Sequence, residues 1–409
     1  VARSALTGNA ETIHAIEGVR FGVTNVGIRK KGRNDLVVMT LHKAASVVGV
    51  FTQNNFSAAP VQICKQRLSE GRPITAMVIN TGVANAGTGT KGILDAEKIC
   101  SALAELMQVN PQSVLPFSTG VIMEYLPADK IISGLPQCLE YQNAMGWEDA
   151  AKAILTTDLV SKFSSRQVNF DGHLVSITGI AKGSGMIKPN MATMLAFVAT
   201  DANVSIECLT DIVNYACDRT FNRITVDGDT STNDSFMLIA TGDGDKNKIN
   251  STLDSSFLML RDEITAVCEE LAKKIVLDGE GATKFIEITV DGATSVEEAR
   301  KVGFAVANSP LVKTAFFASD PNLGRILSAV GAADVSALDV SNIRLKIGNI
   351  LVVEQGAPAL NYQESDIKPL MEADKILVNI DLARGAESAT IWTCDLSHDY
   401  VKINADYRS

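Results

Sequence analysis

Helical and strand periods alternate from one end of this chain to the other, and that alternation limits its fold more than any other feature. LDAEKICSALAELM (94–107) sets Ile99, Leu103 and Leu106 on one helical face. SSFLMLRDEITAVCEELAKKIV (255–276) reads as a second helix, running into the turn DGEGAT and then the strand KFIEITV. VVMTLHKAASVVGVFT (37–52) and AMVINTGVANAG (76–87) read as strands that end in turns. Two more helix starts lie within 294–317. Ser295 with Glu298 forms a capping box, and Ser309-Pro310 puts proline at a first helical position. The mixture implies α/β layers rather than a helical bundle or an all-β sandwich. At 409 residues the chain exceeds one ordinary core and suits two or three domains.

Composition removes several classes of function. A formal net charge of −10 argues against nucleic acid or an anionic membrane as the main partner. The apolar run 194–199 is far too short to span a bilayer. No basic segment followed by an apolar one opens the sequence, so the expected location is the cytoplasm. Seven scattered cysteines without a C-x-x-C fit reduced, buried thiols better than disulfides or zinc. With only four histidines, a Ser-His-Asp or histidine–metal site is poorly supplied, and no metal is expected.

Three segments imitate ligand loops. GIAKGSG (179–185) lacks the G-x-x-x-x-G-K-[ST] order and precedes a strand, and NAGTGTKG (85–92) is excluded on the same grounds. DGDTSTNDSFML (227–238) begins like a calcium loop. It has Thr232 where glycine is needed and Leu238 where a bidentate glutamate is needed. Asp227, Asp229 and Asp234 are therefore read as caps of a tight turn.

KGSGMIKPNMATML (182–195) is different. Gly183, Gly185 and Pro189-Asn190 allow unusual backbone angles, and a threonine then opens the apolar run MLAFVA. A strained peptide with a hydroxyl on its carboxyl side can undergo an N-to-O acyl shift. Attack of the Thr193 hydroxyl on the Ala192 carbonyl, followed by ester hydrolysis, would free the Thr193 amine. An N-terminal threonine is a nucleophile that needs no histidine. Its α-amino group, with a pKa of about 7.7–8.0, suits general-base work near neutrality.

KGSGMIKPNMATMLAFVATDA strongly resembles the self-cleaving segment of the ornithine acetyltransferase (glutamate N-acetyltransferase) family of arginine biosynthesis. INTGVANAGTG (79–89), PFSTGVI (116–122), TFNRITVDGDTSTND (220–234), LDGEGATKF (277–285), LVKTAFFASDPNLGRI (311–326) and the terminal YVKINADYRS match in the same order. Several long motifs in one order are far more specific than any single short one.

The resemblance implies a layered, N-terminal-nucleophile-like α/β fold, cut between Ala192 and Thr193 into an α fragment, 1–192, and a β fragment, 193–409. It implies that the fragments stay together, as an α2β2 assembly. It implies acetyl transfer from N2-acetyl-L-ornithine to L-glutamate through an acetyl-Thr193 ester, with no cofactor and acetyl-CoA as a candidate second donor. Residue by residue, Thr119 and Gly120 match the oxyanion hole. Thr156 (with Thr157 as neighbouring alternative), Lys182, Thr193, Glu280, Asn404 and Ser409 match substrate contacts. An acidic Glu280 is sensible where ornithine brings an ammonium that needs a partner once desolvated. Asn80, Asn85, Arg223, Asp227 and Asp320 lie in matching motifs and are read as structural. The chain departs from the family at Ser409, where threonine is usual, at Leu323, where tryptophan is common, and at Ala318, where glycine is usual. The alternative reading is an N-terminal-nucleophile amidohydrolase or aminopeptidase that passes the acyl group to water. A rival of another class is a non-catalytic binding protein with an intact chain.

Overall fold

The computed structural model describes residues 12–29, 32–170, 172–188, 194–242 and 248–406. They form two compact units. One takes in the chain up to Asn222 together with Asp229–Ile275, and the other Arg223–Gly228 and the chain from Val276 onward.

The first unit contains β1 (Val19–Thr24), β2 (Leu36–Leu41), β3 (Ser46–Phe51), α1 (Ala59–Ser69), β4 (Ala76–Val83), α2 (Gly89–Met107), β5 (Val114–Val121), α3 (Ala128–Glu140) and α4 (Trp147–Ala153). It continues with β6 (Lys162–Phe170), β7 (His173–Lys182), β8 (Leu195–Thr200), α5 (Ile206–Arg219), β9 (Ser235–Ala240) and α6 (Ser255–Leu277). Two sheets result, ordered β1-β2-β4-β5 and β3-β9-β8-β7-β6. Their facing sides share one core that includes Met39, Met77, Phe117, Phe197 and Met237. Phe117 of β5 meets Phe197 of β8 edge-on, with ring centroids 5.0 Å apart. The outer face of the four-stranded sheet is covered by α2 and α3. On the other sheet α5 packs on β3 and β9, and Leu271 and Val267 of α6 lie over Gly179 of β7. The order helix–sheet–sheet–helix is the layered, N-terminal-nucleophile-like α/β architecture expected.

Continuous burial explains the centre of this unit. Every residue of β8 (LAFVAT) and β9 (SFMLIA) is buried, the signature of parallel neighbours covered on both faces. The segment read as one strand over 37–52 is instead two. β2 belongs to one sheet and β3 to the other, because a turn at 42–45 carries the chain from the first to the second. Leu106 is 47% exposed, whereas Ile99 and Leu103 are buried, so the apolar face of α2 is narrower than the sequence suggests. The helix also begins earlier, at Gly89, so the segment 85–92 does open a helix. There Asn85, at a φ of 53°, accepts from the Thr88 hydroxyl at 2.7 Å and donates to the Gly92 carbonyl at 2.9 Å.

The second unit comprises β10 (Phe285–Ala293), α7 (Val296–Ala307), α8 (Pro310–Phe317), α9 (Leu323–Gly331), β11 (Arg344–Ile347), β12 (Ile350–Glu354), β13 (Ala357–Pro358), α10 (Glu364–Glu372), β14 (Lys375–Asp381), β15 (Glu387–Cys394) and α11 (His398–Ala405). Its sheet runs β13-β12-β11-β14-β10-β15, parallel only at β10–β14. Helices α7 to α10 close over a core that includes Ile288, Val302, Phe316, Val330, Ile367 and Ile391. Ser295 caps α7 by accepting from the Glu298 amide at 3.1 Å, and Ser309 caps α8, with Pro310 in its first turn. The Glu298 carboxylate accepts from Thr294 rather than from the Ser295 amide, so the expected box closes one residue early. All seven cysteines are buried. Among the described residues no helix is long and apolar enough to cross a membrane, and no group of side chains could hold a metal ion.

Candidate active site

β7 and β8 pair antiparallel, with Lys182 opposite Leu195, so residues 183–194 are the connection between two central strands. Ala192 and Thr193 lie in that connection and outside the described residues, as does Ser409 at the chain end. What is described is the setting on either side of them.

Lys182, the last residue of β7, sends its ammonium to two threonine hydroxyls: Thr119 Oγ1 at 3.0 Å and Thr156 Oγ1 at 2.9 Å. An ammonium can only donate, so both hydroxyl oxygens accept here and each keeps its proton for another acceptor. The result is one positive charge flanked by two hydroxyl donors, a combination suited to an oxygen that is or becomes negative. Of the two neighbouring threonines, Thr156 faces Lys182, while the Thr157 hydroxyl lies 2.8 Å from Ser184 Oγ. Thr119 is 7% exposed near the end of β5. Its neighbour Gly120 lies where the β4–β5 register slips, at a φ of 134°. A Cβ there would stand 2.2 Å from the Gly82 carbonyl carbon, so glycine is required by space as well as by angle. Beneath them the Ser118 hydroxyl donates to Asn80 Oδ1 at 2.6 Å, and Asn233 donates to the carbonyls of Ala84 and Ser118. Asn80 is thus structural, as read.

Asp158 holds this group in place. One carboxylate oxygen accepts from Lys162 Nζ at 2.7 Å and from the Gly183 amide at 2.7 Å; the other accepts from the Thr156 amide at 3.1 Å. The side chains of Asp158 and Lys162 are both 0% exposed. Burial alone would raise the Asp158 pKa. The charges of Lys162 and Lys182, with the hydrogen bonds from Lys162 and Gly183, outweigh it and hold the carboxyl below the ordinary range.

A second buried carboxylate sits on the other side. Asp234 precedes β9, and the Ser235 amide donates to the Met194 carbonyl at 3.0 Å. Asp234 is 2% exposed, and its Oδ2 has no hydrogen-bond partner among the described residues. Burial pushes its pKa well above the ordinary range, against the Ser231 hydroxyl, the Lys182 charge and the Met194 amide.

In the second unit Glu280 and Asn404 come together. Asn404 Nδ2 donates to Glu280 Oε2 at 2.8 Å, and Glu280 is 7% exposed. The turn that carries Glu280 is pinned by the Ser397 hydroxyl, which donates to the Gly281 carbonyl at 2.6 Å.

The sequence profile of the ArgJ family matches residues 20–409. The chain belongs to the ArgJ family. Among solved structures, the arginine biosynthesis bifunctional protein ArgJ from Bacillus halodurans is 39% identical over 52% of this chain and 99% of its own, with a TM-score of 0.50. The ornithine acetyltransferase of Mycobacterium tuberculosis, solved in complex with ornithine, is 31% identical over 45% of this chain and 96% of its own, with a TM-score of 0.38.

Departures from the ArgJ-family pattern are accommodated locally. Ala318 has a φ of −74°, so glycine's freedom is not needed there, and Leu323 packs partly buried against the core of the second unit. Asp158 and Asp234 were not singled out as site residues from sequence. A carboxylate in TTDLVSK or STNDSF carries no local mark of being buried, and the groups that act on them lie up to 52 positions away along the chain.

Proposed function

We propose that this ArgJ-family protein transfers the acetyl group of N2-acetyl-L-ornithine to L-glutamate through an ester on Thr193, after cutting its own chain between Ala192 and Thr193. Support comes first from the two hydroxyls gathered by Lys182 beside the β7–β8 connection that carries Thr193. The Thr193 hydroxyl attacks the acetyl carbonyl carbon and passes its proton to the Thr193 amine. Thr119 Oγ and the Gly120 N–H face the oxygen that becomes negative, and Lys182 keeps the Thr119 proton turned outward. The tetrahedral centre collapses, ornithine leaves with the proton from the amine, and glutamate then takes the acetyl group by the reverse steps. Thr156, Lys182, Glu280, Asn404 and Ser409 hold the amino-acid substrates.

The sheet order supports an association of the two proposed fragments. Strands β3, β6 and β7 precede the proposed cut and β8 and β9 follow it, so the β3–β9 and β7–β8 ladders would join the pieces within one sheet. The Bacillus halodurans chain, matched almost end to end by about half of this one, is itself half-length. An α2β2 assembly in the cytoplasm, with acetyl-CoA as a further acetyl donor, completes the proposal.

Intact mass spectrometry tests it. Wild-type protein should appear as two copurifying fragments, 1–192 and 193–409. N-acetylornithine alone should add one acetyl group to the second, and glutamate should remove it. Thr193→Ala should stay full-length and inactive. Cleavage of that variant at the same bond would end the intramolecular reading. Loss of the acetyl group to water at the same rate with and without glutamate would make the protein a hydrolase.

A further inference from the structure

Arg33, in the connection between β1 and β2, is half-buried, and its guanidinium is held by neutral groups. Nη2 donates to the Leu155 carbonyl at 2.5 Å and Nη1 to the Thr156 carbonyl at 3.3 Å. Among the described residues no carboxylate pairs with it. In a chain with 47 acidic residues against 37 basic ones, a guanidinium drawn partly out of water without an acid asks for an explanation. Arg29, from the same connection, has Glu124. The acids that flank the contact in sequence are engaged elsewhere. Asp35 accepts from the amides of Val26 at 2.7 Å and Ile28 at 2.6 Å. Asp158 serves Lys162 and the amides of Gly183 and Thr156. The Asp35 bonds, with one from the Asn25 side chain to the Arg33 carbonyl, fix the backbone that carries Arg33.

Thr156 takes Arg33 on its carbonyl at 3.3 Å and Lys182 on its hydroxyl at 2.9 Å. Adding those contacts to the reach of one threonine leaves the two cationic groups at most about 11 Å apart. A guanidinium has five N–H donors, and the two carbonyls take two, which leaves enough for a bidentate grip on a carboxylate. We infer that Arg33 binds the side-chain carboxylate of a dicarboxylic acceptor while Lys182 takes the α-carboxylate. This rests on the proposed transfer to glutamate and names the residue that selects that acceptor. The two proposed substrates differ in their side-chain ends. The donor presents an ammonium, which an acidic residue such as Glu280 suits, whereas the acceptor presents a second carboxylate, which needs a cation of its own. An extended glutamate, with carboxyl carbons about 5 Å apart, spans the gap with one hydrogen bond at each end. A side-chain amide offers the fork neither a charge nor two acceptor oxygens, so glutamine is a poor acceptor.

The test is the preference for glutamate over glutamine, the ratio of kcat/KM for the two acceptors at saturating N-acetylornithine. Wild type should favour glutamate strongly. Arg33→Met keeps an apolar stem without the charge. It should lower kcat/KM for glutamate about 10- to 100-fold and that for glutamine far less, so the preference collapses. Arg33→Lys keeps the charge without the fork and should fall between the two. If Arg33 only braced the carbonyls of Leu155 and Thr156, both acceptors would suffer alike. That outcome, an unchanged preference in Arg33→Met, or a wild type indifferent to the two acceptors overturns the inference. Should Arg33→Met fail to fold, Arg33→Lys carries the test, and a wild-type preference in it is the refuting result. Ornithine release from N-acetylornithine by the wild type separates the two ideas. Without any acetyl transfer from that donor, the reading of the function fails and takes this inference with it. With normal transfer and an undiminished preference in the variants, only the role of Arg33 fails.

Discussion

Replacing Asp158 with alanine should be among the most damaging single changes available in the first unit. The substitution strips a fully buried ammonium, Lys162, of the carboxylate 2.7 Å away. Breaking a buried pair by removing one partner typically costs about 3–5 kcal/mol. The amides of Thr156 and Gly183 lose their acceptor as well, at up to about 1–3 kcal/mol each where no water replaces it. These losses overlap, so about 4 kcal/mol is a fair expectation, a large share of the 5–15 kcal/mol that holds a typical domain. At 2–4 °C per kcal/mol for a unit of this size, the melting temperature should fall by about 10 °C. Calorimetry of wild type, Asp158→Ala and Asp158→Ala/Lys162→Met at pH 7 measures it. The double variant should recover much of the loss, because it removes the stranded charge. The sign with pH also follows. The folded Asp158 pKa is lowered, so its contribution is complete above the unfolded value of about 3.9 and fades as pH falls through the lower folded value. The gap between wild type and Asp158→Ala should be constant from pH 7 to about 5 and shrink only in stronger acid. A loss below about 1 kcal/mol at pH 7, or a double variant no better than the single one, would refute the reasoning. Because Asp158 also holds the amide of Thr156 and that of Gly183, next to Lys182, acetyl transfer should fall in the same variant.

Thr119→Ala should lower kcat by about 10²–10³ with little change in melting temperature, if its hydroxyl faces the developing oxyanion; an unchanged turnover number removes it from that role. Glu280→Gln keeps the hydrogen bond from Asn404 but removes a charge, so KM for acetylornithine should rise about tenfold or more while self-cleavage stays complete. Identical steady-state kinetics would leave Glu280 as a turn residue only.

Much of this molecule was legible before its structure. The apolar run that became β8, the helix from 255, the capping serines 295 and 309 and the buried thiols follow from local backbone geometry and from the hydrophobic effect acting on neighbours in sequence. The ordered motifs pointed to the ArgJ family and to Thr119, Thr156 and Lys182. They could not say that the Lys182 ammonium touches Thr119, 63 positions away, or that it chooses Thr156 over Thr157. Nor could they separate 37–52 into strands of two sheets, since a turn at 42–45 looks much like an interruption within one strand. Burial of charge was the least legible of all. Asp158 and Asp234 are ordinary acidic residues in sequence, and their carboxyl pKa values are shifted in opposite directions once folded. The charges of Lys162 and Lys182 lower the first, and burial raises the second. A residue's period is set by its neighbours along the chain, whereas its solvation and its charge partners are set by whatever the tertiary fold brings against it.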